Sequence, residues 1–321
     1  MDTMFAESPS PLVSFIVTTY NLPTDLLREC IGSVTSLSLG EREREIILVD
    51  DGSDVSVVDE LAAERDDIIY LRQRNQGLSA ARNLGLRMAR GTYVQFVDGD
   101  DGLIRAPYEH CLDIARYHSP DIVLFRSTDK PSAETPFAYE GPLTGSEYMR
   151  ANNLRASACG YLFRRSLLGE TLRFVPGIYH EDEDFTPQLF LRAERLFTTE
   201  SEAYFYRPRA GSIVHSDSPD VLTKRLADTE CVLLHLQSLL DTVPENDRQA
   251  LARRIAQLTM DYLYNTIRLT HDRRLLEATI ERLEACGLYP LPDKNYTRKY
   301  RLFRRAIMSP VLRRALFLLI R

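Results

Sequence analysis

Four short apolar runs, each ending in polar residues and separated by stretches of helical periodicity, constrain this chain more than any other feature. Leu12-Val13-Ser14-Phe15-Ile16-Val17-Thr18-Thr19, Glu45-Ile46-Ile47-Leu48-Val49, Ile68 to Arg72 and Tyr93-Val94-Gln95-Phe96-Val97 read as buried strands. Pro23 to Leu37, Val57 to Glu64 and Leu78 to Arg90 read as helices, followed by a helix around Pro107 to Tyr117 and a strand at Asp121 to Phe125. Strands alternating with helices at this spacing build an α/β fold around a mostly parallel sheet, flanked by helices on both faces. Ligands of such sheets bind in the crevice outside the carboxyl ends of the strands. Three polar clusters fall at those ends, Thr19-Tyr20-Asn21, Asp50-Asp51 and Asp98-Gly99-Asp100, so topology predicts that they share one crevice.

The last of these clusters carries the most chemistry. Val97-Asp98-Gly99-Asp100-Asp101 places three carboxylates at a strand end, with a glycine that permits a tight turn. Hard oxygen donors of this kind suit Mg²⁺ or Mn²⁺, ions that share their coordination with substrate phosphates. An isolated Asp-x-Asp is more often a charged turn, and the weight here comes from the rest of the chain.

Lys130 to Leu143 turns rich in Pro, Ser and Gly and reads as a loop. Beyond Ser218 the pattern becomes helical, with Asp220 to Leu240, Glu245 to Thr270 and Arg273 to Cys286 punctuated by Pro244 and Gly287. The expected layout is an α/β domain over 1–215 and a helical C-terminal region over 216–321. A net charge of −6 argues against a general nucleic-acid partner. Five scattered cysteines form no CxxC pair and suit a reducing compartment, and no run reaches the length of a spanning helix. A cytoplasmic location is expected. The charge is nevertheless uneven. Residues 294–321 carry nine Lys/Arg and no Asp/Glu, leaving −15 for the first 293 residues. That tail mixes arginine with bulky apolar residues, a composition that suits peripheral contact with the inner face of an anionic membrane, or equally a packed terminal helix.

Val17-Thr18-Thr19-Tyr20-Asn21, Val49-Asp50-Asp51-Gly52-Ser53, Asn75 to Asn83 and Phe96 to Asp101 occur in that order, followed by His180-Glu181-Asp182-Glu183-Asp184-Phe185 and Arg207-Pro208-Arg209-Ala210-Gly211-Ser212-Ile213. Together they resemble glycosyltransferase family 2, inverting enzymes of the GT-A fold that use nucleotide-diphosphate sugars. The resemblance spans roughly Pro11 to Ser216. It implies that Asp51, with Asp50 close by, accepts the N–H of a uracil ring, and that Thr19 and Asn21 lie near base and ribose. It also implies that Asp100 and Asp98 hold a divalent metal (Mn²⁺ or Mg²⁺) and that Gly99 lets the backbone approach the sugar. Arg82, near the start of its helix, is a candidate phosphate partner, or a structural bridge to the acidic strand end.

Attack by an acceptor hydroxyl needs a general base opposite the leaving diphosphate. Clustered carboxylates raise one another's pKa, and the family motif makes Asp182 the base with Glu181 supporting it. Glu183 and Asp184 are expected to face away, as acids at a helix N-terminus. Arg209 is expected over the diphosphate; His215 is a weaker candidate. Many relatives carry a Trp before the Gly160-Tyr161-Leu162-Phe163-Arg164-Arg165 run, whereas this chain has no Trp at all. Acceptor contacts are therefore assigned to Tyr161, Tyr179 and His180. The reading is an enzyme moving a sugar from a nucleotide-sugar donor, UDP-linked by preference, to a glycan or lipid-linked oligosaccharide. A nucleotidyltransferase would need a Gly-rich, basic phosphate loop after the first strand, which Thr18 to Pro23 is not. A non-catalytic nucleotide-binding scaffold is the remaining alternative.

Overall fold

Strand β1 (Val13–Thr19) is buried along its whole length, as an unbroken apolar run demands of a central strand. It pairs in parallel with β2 (Arg44–Asp50) on one side and β4 (Tyr93–Asp98) on the other, and β2 pairs in parallel with β3 (Ile68–Arg72). The order β3-β2-β1-β4 reverses direction at β1, which leaves a crevice at the carboxyl ends of β1 and β4. In this register Thr19 lies opposite Asp50 and Thr18 opposite Asp98. The polar clusters predicted at three separate strand ends therefore sit level, on one edge of the sheet.

The computed structural model describes residues 10–56, 67–130, 136–208 and 218–320. These form two compact units: Met1–Gly145, Ala156–Gly177 and Gln188–Arg209 make the first, and Ser146–Arg155, Ile178–Pro187 and Ala210–Arg321 the second.

In the first unit, helix α1 (Thr24–Thr35) follows β1 and buries Leu27, Cys30, Ile31 and Val34, the 3.6-residue stripe of a helix laid on a sheet. Helix α2 (Leu78–Met88) precedes β4, and the two-residue strand β5 (Gly102–Leu103) and helix α3 (Arg105–His118) follow it. Beyond β4 the sheet continues with antiparallel β8 (Tyr161–Arg164), then β6 (Ile122–Thr128) and β9 (Leu196–Phe205), while β5 and β7 (Tyr139–Leu143) flank β9. These later strands are short or polar: Thr198-Thr199-Glu200-Ser201-Glu202 shows no apolar run, so pattern alone does not reveal it. The expected helix at Val57 to Glu64 lies outside the described residues.

The second unit is helical, with α6 (Pro219–Leu239), α7 (Glu245–Thr270), α8 (Arg273–Ala285), α9 (Arg298–Met308) and α10 (Pro310–Leu319). It also takes in most of α4 (Gly145–Ala151) and the start of α5 (Glu181–Leu191), so the chain does not divide by a single cut at 215/216. The reason lies in buried polar pairs. Arg254 on α7 donates to the Leu154 carbonyl (2.7 Å) and pairs with Glu183, and Ser146 donates to Asp247. Contacts between residues so far apart in the chain leave no trace in local periodicity. Among the described residues, no helix is long and apolar enough to cross a membrane.

Candidate active site

The loop after β2 is built around two buried carboxylates. Asp50 accepts from the Ser53 backbone N–H (2.8 Å) and the Tyr70 hydroxyl (2.8 Å). Asp51 accepts from Gln73 Nε2 (2.7 Å) and from the backbone N–H groups of Gln76 (2.9 Å) and Gly77 (2.8 Å). Gly77 caps α2, so the Asp51 charge sits at the positive end of that helix dipole. A carboxylate has about four acceptor sites, and these three donors leave Asp51 room for one more. Gly52 has φ +80°, and a Cβ there would lie 2.6 Å from the Asn75 nitrogen, so only glycine fits this turn.

Asn21, after β1, adopts a left-handed conformation (φ 48°) and ties this loop to its own. Its backbone N–H donates to Ser53 Oγ (2.9 Å), and its amide oxygen accepts from the Asp54 N–H (2.8 Å). Beside it, Thr19 Oγ1 is buried without a hydrogen-bond partner. Buried polar atoms are nearly always satisfied, so an orphan hydroxyl at a crevice is what a ligand contact leaves behind. Tyr20 stands between them with 49% of its surface exposed, enough ring for a base to stack on.

At the end of β4, Arg82 comes from the second turn of α2 and is 2% exposed. It donates to Asp98 Oδ1 (3.1 Å), and its guanidinium lies over the rings of Phe96 and Phe174. Gly99 is dictated by close approach: a Cβ would come within 2.8 Å of the Thr18 carbonyl, to which the Gly99 N–H donates (2.9 Å). Asp98 and Asp100 are both part-exposed. Asp101 is the buried member of the three, accepting from the Tyr204 hydroxyl (2.7 Å) and the Arg207 N–H (2.9 Å). Arg207 Nε donates to the Asp100 carbonyl (3.0 Å) and its Nη2 to Glu29 (2.5 Å), which locks the acidic turn onto α1 and the end of β9.

Among the described residues, no group of three or more His, Cys, Asp or Glu could hold a metal alone. The donor set still suits a divalent ion of the kind expected, because Mg²⁺ and Mn²⁺ in nucleotide sites take one or two carboxylates and complete their shell with phosphates and water.

The acidic run belongs to the second unit. His180, with φ 63°, precedes α5 and turns the chain into it. Burial, reinforced by the Arg225 charge, holds its imidazole below the ordinary value. Tyr179 donates its N–H to Asp228 (2.7 Å), and Lys224 lies over its ring. Glu181 and Asp182 are half-buried. Glu183 and Asp184, expected to face away as acids at the helix N-terminus, have specific partners there. Asp184 is 1% exposed and meets His235 Nδ1 at 2.5 Å, while Glu183 pairs with the buried Arg254. Partners on α6 and α7 meet these two charges in addition to the helix N-terminus.

Comparison with known proteins gives a family match over part of the chain. Residues 14–169 match Glycosyl transferase family 2. That match spans just under half of the chain. The chain is 33% identical over 224 residues to the uncharacterized glycosyltransferase EpsJ of Bacillus subtilis, covering 63% of each chain. The chain thus spans about three fifths of the length of that relative. Its fold is the GT-A fold of two solved structures. Staphylococcus aureus TarS 1-349, in complex with UDP-GlcNAc, is 19% identical with a TM-score of 0.62 over 92% of this chain and 91% of that one. The mannosyltransferase PcManGT of Pyrobaculum calidifontis, in complex with GDP-Man and Mn²⁺, is 16% identical with a TM-score of 0.58 over 97% and 86%.

Within the first unit, Thr19, Asn21, Asp50, Asp51, Arg82, Asp98, Gly99 and Asp100 gather on one edge of the sheet. Arg209 and His215 lie outside the described residues. Tyr161 is a correction: it is wholly buried on β8, edge-on to Phe163 and Phe190, and has no face to offer an acceptor. A tyrosine that heads a strand two residues from another aromatic packs as core. Tyr20, Asp101, Tyr204 and Arg207 were not singled out from sequence, although Tyr20, Asp101 and Arg207 stand inside the quoted motifs.

Asp101 makes a pH prediction. Burial pushes its carboxyl up to about 7, with the Asp98 and Asp100 charges adding and the Arg207 N–H and Tyr204 hydroxyl opposing. The folded chain then keeps a proton that the unfolded chain releases above its ordinary value of 3.8. The resulting stabilisation is complete below that value, declines as pH rises, and is lost once pH passes 7. Urea unfolding from pH 4.5 to 8 with chelator present should show this decline in the wild type and a flatter profile in Asp101→Asn.

Proposed function

We propose that this chain transfers a sugar from a nucleotide diphosphate, UDP by preference, to a hydroxyl of a glycan or lipid-linked oligosaccharide of the cell surface, by single displacement with inversion. The observation that carries the donor half is the sheet register, which sets Thr19, Asp50 and Asp98 level at the β1/β4 switch point, with Arg82 on Asp98. The uracil choice rests on the spare acceptor capacity of Asp51 and on Tyr20 beside it. The UDP-GlcNAc complex of a protein with the same fold is in keeping with it.

In the reaction, the acceptor oxygen attacks the anomeric carbon as the bond from that carbon to the diphosphate oxygen breaks. The hydroxyl proton passes to the Asp182 carboxylate, and the electron pair leaves with the nucleoside diphosphate. A divalent ion held by Asp100 and Asp98 would neutralise charge on the leaving diphosphate. Arg82 is a cation this chain itself supplies toward that charge. Asp182 is the base in this reading, as the family motif implies, with Glu181 beside it; Glu183 and Asp184 pair with Arg254 and His235. Tyr179 and His180, on the same segment, remain the proposed acceptor contacts, and Arg209 a proposed diphosphate contact.

The test is metal-dependent hydrolysis of a panel of nucleotide sugars without acceptor. Slow release of UDP from one donor names the sugar. Release of GDP from GDP-mannose would move the base assignment away from uracil. Absence of both turnover and nucleotide binding would leave the scaffold reading.

A further inference from the structure

The C-terminal basic segment has an inner face and an outer face, and they differ in kind. On α9 the buried residues are Tyr300, Phe303 and Ile307, one helical stripe. Two of the arginines are also spent within the unit. Arg304 pairs with Asp293 (2.9 Å) and donates to the Leu291 carbonyl, while Arg313 pairs with Glu277. This much is the packed terminal helix that the sequence allowed.

The outer face is different. Arg298, Arg301 and Arg305 are exposed at helical spacing on α9, with Leu302 beside them at 54% exposure. Helix α10 packs against α9 and buries only Leu316, leaving Val311 76% and Leu318 and Leu319 each 78% exposed. Large aliphatic side chains in water at this density are costly. Contiguous exposed apolar surface generally marks a surface that something covers.

We infer that α9 and α10 dock on an anionic bilayer, the aliphatic stripe of α10 entering the headgroup boundary and the arginine stripe of α9 lying on the lipid phosphates. Charge selects this occupant over another protein or a second copy. Residues 294–321 carry nine cations and no acid, whereas the rest of the chain carries −15. A second copy paired face to face through this same segment would bring the same cations to the contact and repel. A lipid surface satisfies both halves of the pattern at once, since weak apolar insertion and a basic cluster together give stable but reversible attachment. The inference goes beyond the proposed transferase activity and does not depend on it.

The experiment is co-sedimentation of the full chain with vesicles of phosphatidylglycerol or of phosphatidylcholine, at low and high salt. Binding is expected to the first only, and to weaken at high salt as screening shortens the reach of the charges. Leu318→Glu/Leu319→Glu and, separately, Arg298→Glu/Arg301→Glu/Arg305→Glu should each lower vesicle binding at least about tenfold. Their melting and nucleotide-sugar hydrolysis should be unchanged, because these side chains are exposed and lie outside the proposed site. Binding that ignores both variants, or no binding to either vesicle, overturns the inference. So does a concentration-dependent dimer, seen by light scattering, that Leu318→Glu/Leu319→Glu dissolves. Vesicle binding without sugar transfer would sink only the transferase reading, and transfer without vesicle binding only this one.

Discussion

Asp100→Ala should lower metal-dependent turnover of the nucleotide sugar by about 10²–10³-fold and leave the melting temperature where the wild type has it. The two halves of this result have separate causes. The Asp100 side chain is part-exposed at the tip of the acidic turn, and what holds that turn is the Asp100 carbonyl, which accepts from Arg207 and survives the substitution. In the proposed reading the Asp100 carboxylate serves the metal. Asp98→Ala is the contrast. It removes the carboxylate that faces Arg82, a guanidinium 2% exposed, and a buried charge deprived of its counter-ion is costly. Asp98→Ala should lose activity and also on the order of 1–3 kcal/mol of stability, read by urea unfolding. If Asp100→Ala keeps wild-type turnover, the metal assignment is wrong, whatever becomes of the donor pocket.

Asp182→Asn should cut transfer to acceptor by about 10²–10⁴-fold while UDP binding, measured by calorimetry, stays within experimental error. The amide keeps the size of the side chain and removes only its capacity to take the proton. Glu183→Ala supplies the control on the same helix. It strands Arg254, which burial and a displaced pKa of about 10 already mark as an expensive charge. That variant should lose about 3–5 kcal/mol of stability. Should Asp182→Asn leave transfer intact, Glu181 becomes the base to test.

Much of the polar edge of the sheet is legible in the sequence because it is written in local signals. An apolar run that stops at an acid, followed by glycine, declares both the strand and the functional end of the strand. Ile68 to Arg72 and Glu245 to Thr270 are elements with the bounds that their patterns predict. Strands β8 and β9 were not legible, since β8 has four residues and β9 places polar groups where a pattern would need apolar ones. Asp101 illustrates the same limit within a motif. Sequence shows three equivalent carboxylates, and only the approach of Tyr204 and Arg207 from a hundred residues away sorts the buried one from the two near solvent.

What the sequence by itself determined was the parallel α/β half-sheet, the helices of the C-terminal region and the acidic strand ends, all consequences of periodicity along a continuous stretch of chain. Tertiary structure alone decided which acids are spent on folding. Glu183 and Asp184 are taken up by Arg254 and His235, Tyr161 is core, and Arg304 and Arg313 are bound inward while Arg298, Arg301 and Arg305 are exposed. The physical reason is that a charge is disposed of by whatever lies within about 4 Å of it, and that neighbour is set by packing between distant segments, to which local periodicity is blind.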